Sequence, residues 1–237
     1  MQRIIQLSVL PYGMMNCFLI KGNRKHVLVD TGIPGSESKI LKQIDDQGLR
    51  REDIGLIIIT HGHIDHFGSV RALRKILNVP VMVHESDAQA LITGKSMAET
   101  LKPNKKIWNI LKRRLLTAQA PGCSPDIILE GNSDFDLSTY GINGKVIHTP
   151  GHTPGSLSVV VDERHAIITD LASSGILLGG LAFHSRMKKP PFHDNLLEVK
   201  ASIDKLLALS LEVFYLGHGY PVTRNALIHY RDKVLKV

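Results

Sequence analysis

The sequence predicts an α/β fold built from strand-and-helix units. Three observations carry this. Short apolar runs such as "LIIIT" and "VPVMV" alternate with stretches of helical spacing such as "VRALRKIL". Turn formers, as in "DTG" and "TPG", punctuate the boundaries between them. Finally, "THGHIDHFGSV" and "TPGHTPGSLSV" each follow an apolar run, carry histidine and end in Gly-Ser, an echo that suggests duplicated strand-and-helix halves. No stretch is rich enough in Pro, Gly or Ser to act as a linker, so residues 1–237 are read as a single domain.

In order, Ile4 to Val9, Asn16 to Ile20 and Lys25 to Asp30 are read as strands, the first because Ile5, Leu7 and Val9 alternate with polar residues. "SESKILKQIDDQG" predicts a helix with Ser36 as N-cap and Gly48 as its stop. "GLIIIT" is a buried strand, and Val70, Leu73, Ile76 and Leu77 mark the next helix, followed by strand "VPVMVH". Residues 94–120 break the rhythm. There Lys102, Lys105, Lys106, Lys112, Arg113 and Arg114 flank Trp108, Leu111 and Leu115, which predicts an inserted basic amphipathic helix acting as a lid. Strands resume at Ile127 to Leu129, Lys145 to His148, Leu157 to Val161 and Ala166 to Thr169. "NLLEVKASIDKLLAL" is a helix capped by Asp194, "EVFYLGHG" a strand entering a turn, and a helix begins at Thr223.

Composition narrows the class. The chain is 43% hydrophobic with a formal charge of +7, which permits acidic partners without requiring them. Cys17 and Cys123 form no metal or disulfide pattern and read as packed free thiols in a reducing compartment, so a cytoplasmic location is expected. The N-terminus lacks the pattern of a signal peptide, and no run approaches the ~18 apolar residues of a transmembrane helix.

Chemistry concentrates in "HGHIDH". Three histidines and an aspartate within six positions are costly to pack without a cation. In an extended loop His61 and His63 point the same way and can share one ion, whereas Asp65 and His66, past a reversal, can reach a second. His152 in "TPGHTPG", Asp170 in "AIITD" and His218 in "YLGHGYP" also lie just beyond strand ends, so all seven can gather at one sheet edge. His26, His84, His165 and His229 read as packing or surface residues.

"LVDTG", "HGHIDH", "TPGHTPGS", "TD" and "LGHG" together resemble the five motifs of the metallo-β-lactamase fold superfamily, spanning Asp30 to His218. The resemblance implies a four-layer αβ/βα sandwich, two mixed β-sheets flanked by helices. It implies His61, His63 and His152 at one metal site, Asp65, His66 and His218 at the other, Asp170 bridging, and Asp30 orienting a ligand. It also implies two divalent ions, zinc first, with iron and manganese as alternatives. A binuclear hydroxide then attacks directly, with Asp65 and Asp170 as the catalytic carboxylates. Class B1 β-lactamases carry cysteine where Asp170 stands, flavodiiron proteins carry glutamate where His63 stands, and β-CASP exonucleases are far longer. Glyoxalase II is similar in "THGHIDH" and "TPGHTPGS" but adds a helical domain that grips glutathione, and here only Gly219 to Val237 follow His218. Many acyl-homoserine lactonases carry a tyrosine three positions past the bridging aspartate, where Ser173 stands.

The expected activity is hydrolysis of a small ester, lactone or thioester, of the glyoxalase II and lactonase-like group. Rival readings are a phosphodiesterase acting on RNA or phospholipid, and a binding module stabilised by metal. His184, His193 and Trp108 are candidates for binding substrate. The expected partner is a small-molecule substrate rather than nucleic acid, and the oligomeric state is open, a homodimer included.

Overall fold

The computed structural model describes residues 3–96, 101–106, 108–176, 179, 182–184 and 186–236. The chain opens with β1 (Ile4–Leu10), β2 (Met15–Ile20) and β3 (His26–Val29), then α1 (Glu37–Asp46), β4 (Ile54–Ile58), the single turn α2 (Ile64–Phe67), α3 (Val70–Leu77), β5 (Val81–His84) and α4 (Glu85–Thr93). Next come β6 (Lys102–Pro103), α5 (Trp108–Thr117), β7 (Ile127–Leu129), β8 (Phe135–Asp136), β9 (Gly144–His148), β10 (Leu157–Val161), β11 (His165–Ile167), β12 (Ser173–Ser174), β13 (Met187–Lys188) and β14 (Phe192–His193). α6 (Leu196–Leu207), β15 (Val213–Tyr215), β16 (Val222–Thr223) and α7 (Arg224–His229) complete the described elements.

Two six-stranded mixed sheets result, ordered β1-β2-β3-β4-β5-β7 and β16-β15-β11-β10-β9-β8. The reason lies in strands that are apolar on both faces. In β2, Phe18 and Ile20 point into the space between the sheets, whereas Cys17 and Leu19 point outward beneath helices. Leu56 and Ile58 of β4 share the first direction, and Ile57 the second. This two-sided burial is what a strand covered on both faces requires. Ile40 and Ile44 of α1, Leu73 of α3 and Leu91 of α4 cover the outer face of the first sheet. Val199, Ile203 and Leu206 of α6, with Leu227 of α7 and Tyr230, cover the outer face of the second. The middle layer is sealed by side chains from both sheets, among them Val146, Val159 and Ile167, with Phe18 and Tyr215 packed edge to face at 5.8 Å. The layer order is thus helix, sheet, sheet, helix.

The two histidine motifs lead into different elements. Residues after the first Gly-Ser continue as helix α3, and those after the second as strand β10. The echo of duplicated halves therefore does not extend to local structure at these positions. "VRALRKIL" carries helical spacing, whereas "LSVVV" is rich in β-branched residues that suit a pleated surface. Two caps also differ from expectation. The N-cap of α6 is Asn195, whose side chain accepts from Leu197 N at 3.0 Å, rather than Asp194. Ser36 holds the N-cap position of α1 without a side-chain capping bond. Helix α4 has no counterpart among the elements expected from sequence. Glu85 and Asp87 in its first turn and Gly94 after its end are its local signals.

The strands aim their ends at one place. β3, β4, β5 and β7 run parallel. In the second sheet β9, β11 and β15 share a direction, because β10 is antiparallel to both β9 and β11 while β15 is parallel to β11. Cys17 and Cys123 are buried free thiols. Among the described residues no helix is long and apolar enough to cross a membrane.

Candidate metal centre

Each of the seven residues singled out by sequence follows the C-terminal end of a strand, or the turn after one. His61 lies just past β4. His63 is the N-cap of α2, and Asp65 and His66 lie within that turn. His152 follows β9, Asp170 follows β11, and His218 follows β15. Parallel strand directions bring these points together, and the seven converge. Three groups have ligand atoms within 4.8 Å of one another: His61, His63 and His152; His61, His66 and Asp170; and Asp65, His66 and His218.

The spacing is informative. His152 Nε2 lies 3.0 Å from His63 Nδ1. Asp170 Oδ1 lies 3.6 Å from His66 Nε2, and its Oδ2 lies 3.6 Å from His152 Nε2 and 3.3 Å from His218 Nε2. Asp65 Oδ2 lies 3.4 Å from His218 Nε2 and 3.9 Å from His66 Nε2. Most of these gaps are too long for strong hydrogen bonds. They match the edges of a coordination polyhedron whose centre lies about 2.0–2.2 Å from each donor. The Nε2 atoms of His61, His63 and His66 and Oδ1 of Asp170 are buried with no hydrogen-bond partner. Buried polar atoms are rarely left so, and imidazoles with carboxylates form a donor set suited to zinc. The residues fit a divalent cation.

Hydrogen bonds behind the cluster orient the donors. His66 donates from Nδ1 to Asp30 Oδ2 at 2.7 Å, and Asp30 also accepts from the Thr60 amide (2.8 Å) and hydroxyl. With its proton on Asp30, Thr60 Oγ1 can accept from His61 Nδ1 at 3.1 Å. His152 Nδ1 donates to the Phe192 carbonyl (3.0 Å) and His218 Nδ1 to the Met14 carbonyl (2.6 Å). Four rings are thereby fixed in the tautomer that turns the Nε2 lone pair inward. Asp30 thus does more than make the "DTG" turn, and it holds a left-handed backbone (φ 63°) to do so. Thr169, just before Asp170, is strained too (φ 36°), an uncommon posture for a β-branched residue.

Electrostatics divide the cluster. Burial, reinforced by neighbouring imidazoles, holds the His61 pKa well below the ordinary histidine value. Burial and the adjacent His152 bring His63 down to about 3, and burial brings His152 down to about 4. These rings stay neutral and available as ligands. At His66 and His218 burial acts in the same direction but is outweighed by carboxylates. Asp30, Asp170 and Asp65 hold His66 above its usual value, and Asp170 and Asp65 do the same for His218. Burial opposes ionisation of Asp65 and Asp170, yet the facing histidines hold both well below the usual carboxylate range.

Three tethers invisible in the motifs hold the loops in place. Asp87, at the start of α4, accepts from Gly62 N (2.7 Å), Gly155 N (3.1 Å) and the Thr153 hydroxyl (2.6 Å). It joins the "HGH" and "TPGHTPG" loops, and burial keeps its pKa raised despite those donors. Asn16 donates to the carbonyls of Leu216 and Gly219, fixing the His218 loop. The Leu157 amide donates to Thr60 O at 2.8 Å across the two sheets. Finally, Gly217 is needed for close approach, because a Cβ there would sit 2.5 Å from Asp170 Oδ1 and 2.9 Å from His66 Cε1.

A cavity of about 220 Å³ opens onto the cluster, walled by Leu10, Met14, Ile33, Ile64, Pro191 and Phe192 and floored by His63, Asp65, His152, Asp170 and His218. The three residues expected to bind substrate do not line this cavity. Trp108 packs on Leu101 and Phe192, behind the cavity wall. His193 is buried next to Phe192, which lines the cavity in its stead. His184 is exposed and packs edge-on against Tyr220 at 4.5 Å. The side chains of Leu111 and Leu115, expected on the face of a lid, lie outside the described residues.

Known proteins share this fold. An archaeal metallo-β-lactamase superfamily protein from Sulfolobus tokodaii superposes with a TM-score of 0.71 at 22% identity, covering all of this chain and 87% of that one. A subclass B3 metallo-β-lactamase of Bradyrhizobium japonicum superposes at 0.60 and 21% identity, over 92% of this chain and 78% of that one. By sequence, the chain is 28% identical over 211 residues to the probable metallo-hydrolase YflN of Bacillus subtilis, covering 83% of this chain and 76% of that protein. It is 24% identical to the hydroxyacylglutathione hydrolase GloC of Haemophilus influenzae, over 91% of each. The profile of the metallo-beta-lactamase superfamily matches residues 11–218. With that match reaching from the first turn to the last of the clustered histidines, the chain belongs to the metallo-β-lactamase superfamily.

Proposed function

We propose that the protein is a hydrolase that holds two divalent ions, zinc in the first instance, and cleaves a small ester, lactone or thioester. The observation that carries this is the Asp170 carboxylate. One oxygen faces His66, and the other faces both His152 and His218 at the floor of an apolar cavity. In this reading His61, His63 and His152 hold one ion, Asp65, His66 and His218 hold the other, and Asp170 touches both. Relatives named metallo-hydrolases and a hydroxyacylglutathione hydrolase support hydrolysis as the reaction class.

Such ions, when bound, bring water towards ionisation near neutral pH and polarise a carbonyl. The protein's own groups supply the rest. Leu10, Met14, Ile33 and Phe192 seat a compact apolar acyl group and exclude bulk water. Asp65, half-buried at the cavity floor, accepts the proton of the attacking water and passes it to the leaving group. Asp30 and the carbonyls of Phe192 and Met14 hold the imidazoles in the tautomer that binds.

The deciding experiment combines elemental analysis of zinc-loaded protein with a panel of small lactones, thioesters and bis(4-nitrophenyl) phosphate. The expected outcome is up to two ions per chain together with lactone or thioester turnover. Metal content that never exceeds one ion, or turnover confined to the phosphodiester, would refute this reading.

A further inference from the structure

Beside the metal cavity, and sharing Pro191 with it, lies a second cavity of about 400 Å³. Its walls carry Lys105, Arg186, Lys188 and Lys189, with Trp108 as an apolar face. Among the described residues no carboxylate lines it and none of the four cations forms an ion pair, the Lys189 ammonium donating only to the Lys236 carbonyl at 3.2 Å. The Lys188 pKa is lowered, by partial burial first and then by Arg186 and Lys105. Like charges gathered without a counter-charge are unfavourable unless a ligand completes them.

The fold holds these charges together. Asn104 is stapled to the segment between β13 and β14 by three bonds: its side chain donates to the carbonyls of Lys189 (3.2 Å) and Pro190 (2.6 Å), and its amide donates to Pro191 O (3.0 Å). The backbone at Lys105, the next residue, is therefore held near Lys189. Lys188 pairs across the β12–β13 ladder with Ser173, three residues beyond Asp170. Three residues of chain and one ladder spacing place the Lys188 backbone no more than about 16 Å from that of Asp170.

We propose that this cavity binds a phosphate group on the substrate, as a handle that is not cleaved. Phosphate fits better than carboxylate because a phosphate monoester carries nearly two negative charges and three acceptor oxygens, which can engage several cations at once. The one arginine can grip two of those oxygens with its fork and the three lysines act as point charges around it. Trp108 gives the organic part of that tail a flat apolar surface. The substrate class is then a phosphorylated ester or thioester whose reacting carbonyl and phosphate are spaced to span the two cavities. The substrate assignment rests on the hydrolase reading above. The phosphate site itself does not.

The test measures binding of adenosine 3′,5′-bisphosphate to the metal-loaded protein by calorimetry. Parent protein should bind it, and R186E/K188E should weaken binding at least ~30-fold, as expected when contacts to a bound charge are reversed. A control pair of the same charge change on α3, R71E/K75E, should leave binding within ~2-fold, since distant surface charges are screened. No binding by the parent, equal weakening in both pairs, or binding only to anionic phospholipid vesicles would overturn the site. In parallel, kcat/KM for acetyl-coenzyme A should exceed that for S-acetylpantetheine, and the ratio should fall towards one in R186E/K188E. An unchanged ratio would overturn the handle role. Variant-sensitive bisphosphate binding in a protein that hydrolyses neither thioester, and none of the lactones and other thioesters of the panel above, would support the phosphate site and refute the hydrolase reading instead.

Discussion

At the scale of single residues, two carboxylates near the same histidine have different jobs. Asp30 reaches His66 through Nδ1, on the far side of the ring from the cluster, whereas Asp170 faces three Nε2 atoms directly. Asp30→Ala should then cost about 10–100-fold in kcat/KM, as loss of a group that orients a ligand does. Asp170→Ala should cost at least ~10-fold more, because in the proposed binuclear arrangement it would disturb both ion sites. Equal losses in the two variants would show that Asp170 holds no special place. Gly217 makes a sharper test. Alanine there drives a methyl against Asp170 Oδ1 and His66, neither of which can withdraw easily, since His66 is pinned to Asp30 and Asp170 directly follows the strained Thr169. Gly217→Ala should lower the bound metal by about one ion per chain in elemental analysis. Parent-level metal would mean that the loop relaxes freely.

At the scale of elements, α4 is a clamp. Its first turn presents Asp87 to two loops that belong to different sheets. Asp87→Ala would leave two buried amides and a hydroxyl without an acceptor, at roughly 3 kcal/mol or more. It should therefore lower both stability, read by denaturant unfolding, and metal affinity, read by chelator competition. A variant with parental stability and metal affinity would make the tether incidental. Helix α5 acts one step removed from the chemistry, with Trp108 backing Phe192 and Phe192 walling the cavity. Trp108→Ala should raise KM for small esters several-fold while metal content stays parental. A fall in metal content would instead place Trp108 among the supports of the ion site.

At the scale of the whole molecule, the layer between the sheets joins the two halves, and the histidine and aspartate cluster lies where they meet at one edge. Phe18 is fully buried in that layer against Tyr215. Phe18→Ala should cost about 3–5 kcal/mol, which for a chain of this size lowers Tm by roughly 10 °C. Residues 1–237 should unfold as one unit, because the middle layer draws side chains from both sheets. Two calorimetric transitions in the metal-loaded protein would argue for separate domains. Removing the ions with a chelator should lower Tm by about 10 °C as well, since tightly held ligands stabilise the folded state by a few kcal/mol. An unchanged Tm would count against metal ions that join the two halves.

The α/β class, most strands and the seven converging residues are legible in the chain. Apolar periodicity is local, and histidines at successive strand ends can be read one motif at a time. Asp65 and His66 can be assigned beside His61 because the turn that separates them is itself local. Other features are decided only in three dimensions. Asp87 looks like any acidic residue in a first helical turn, and its role appears only when Gly62, Thr153 and Gly155, distant in sequence, arrive around it. Phe192 rather than His193 or Trp108 walls the cavity because pairing of β14 with β6 sets which side chain faces inward. The clustering of Lys105 with Arg186 and Lys188 likewise depends on strand pairing across some eighty positions. Local pattern determines which elements form and what chemistry they carry. Long-range pairing and packing determine which of those side chains meet, because contact across a sheet or between layers leaves no periodic trace in the sequence.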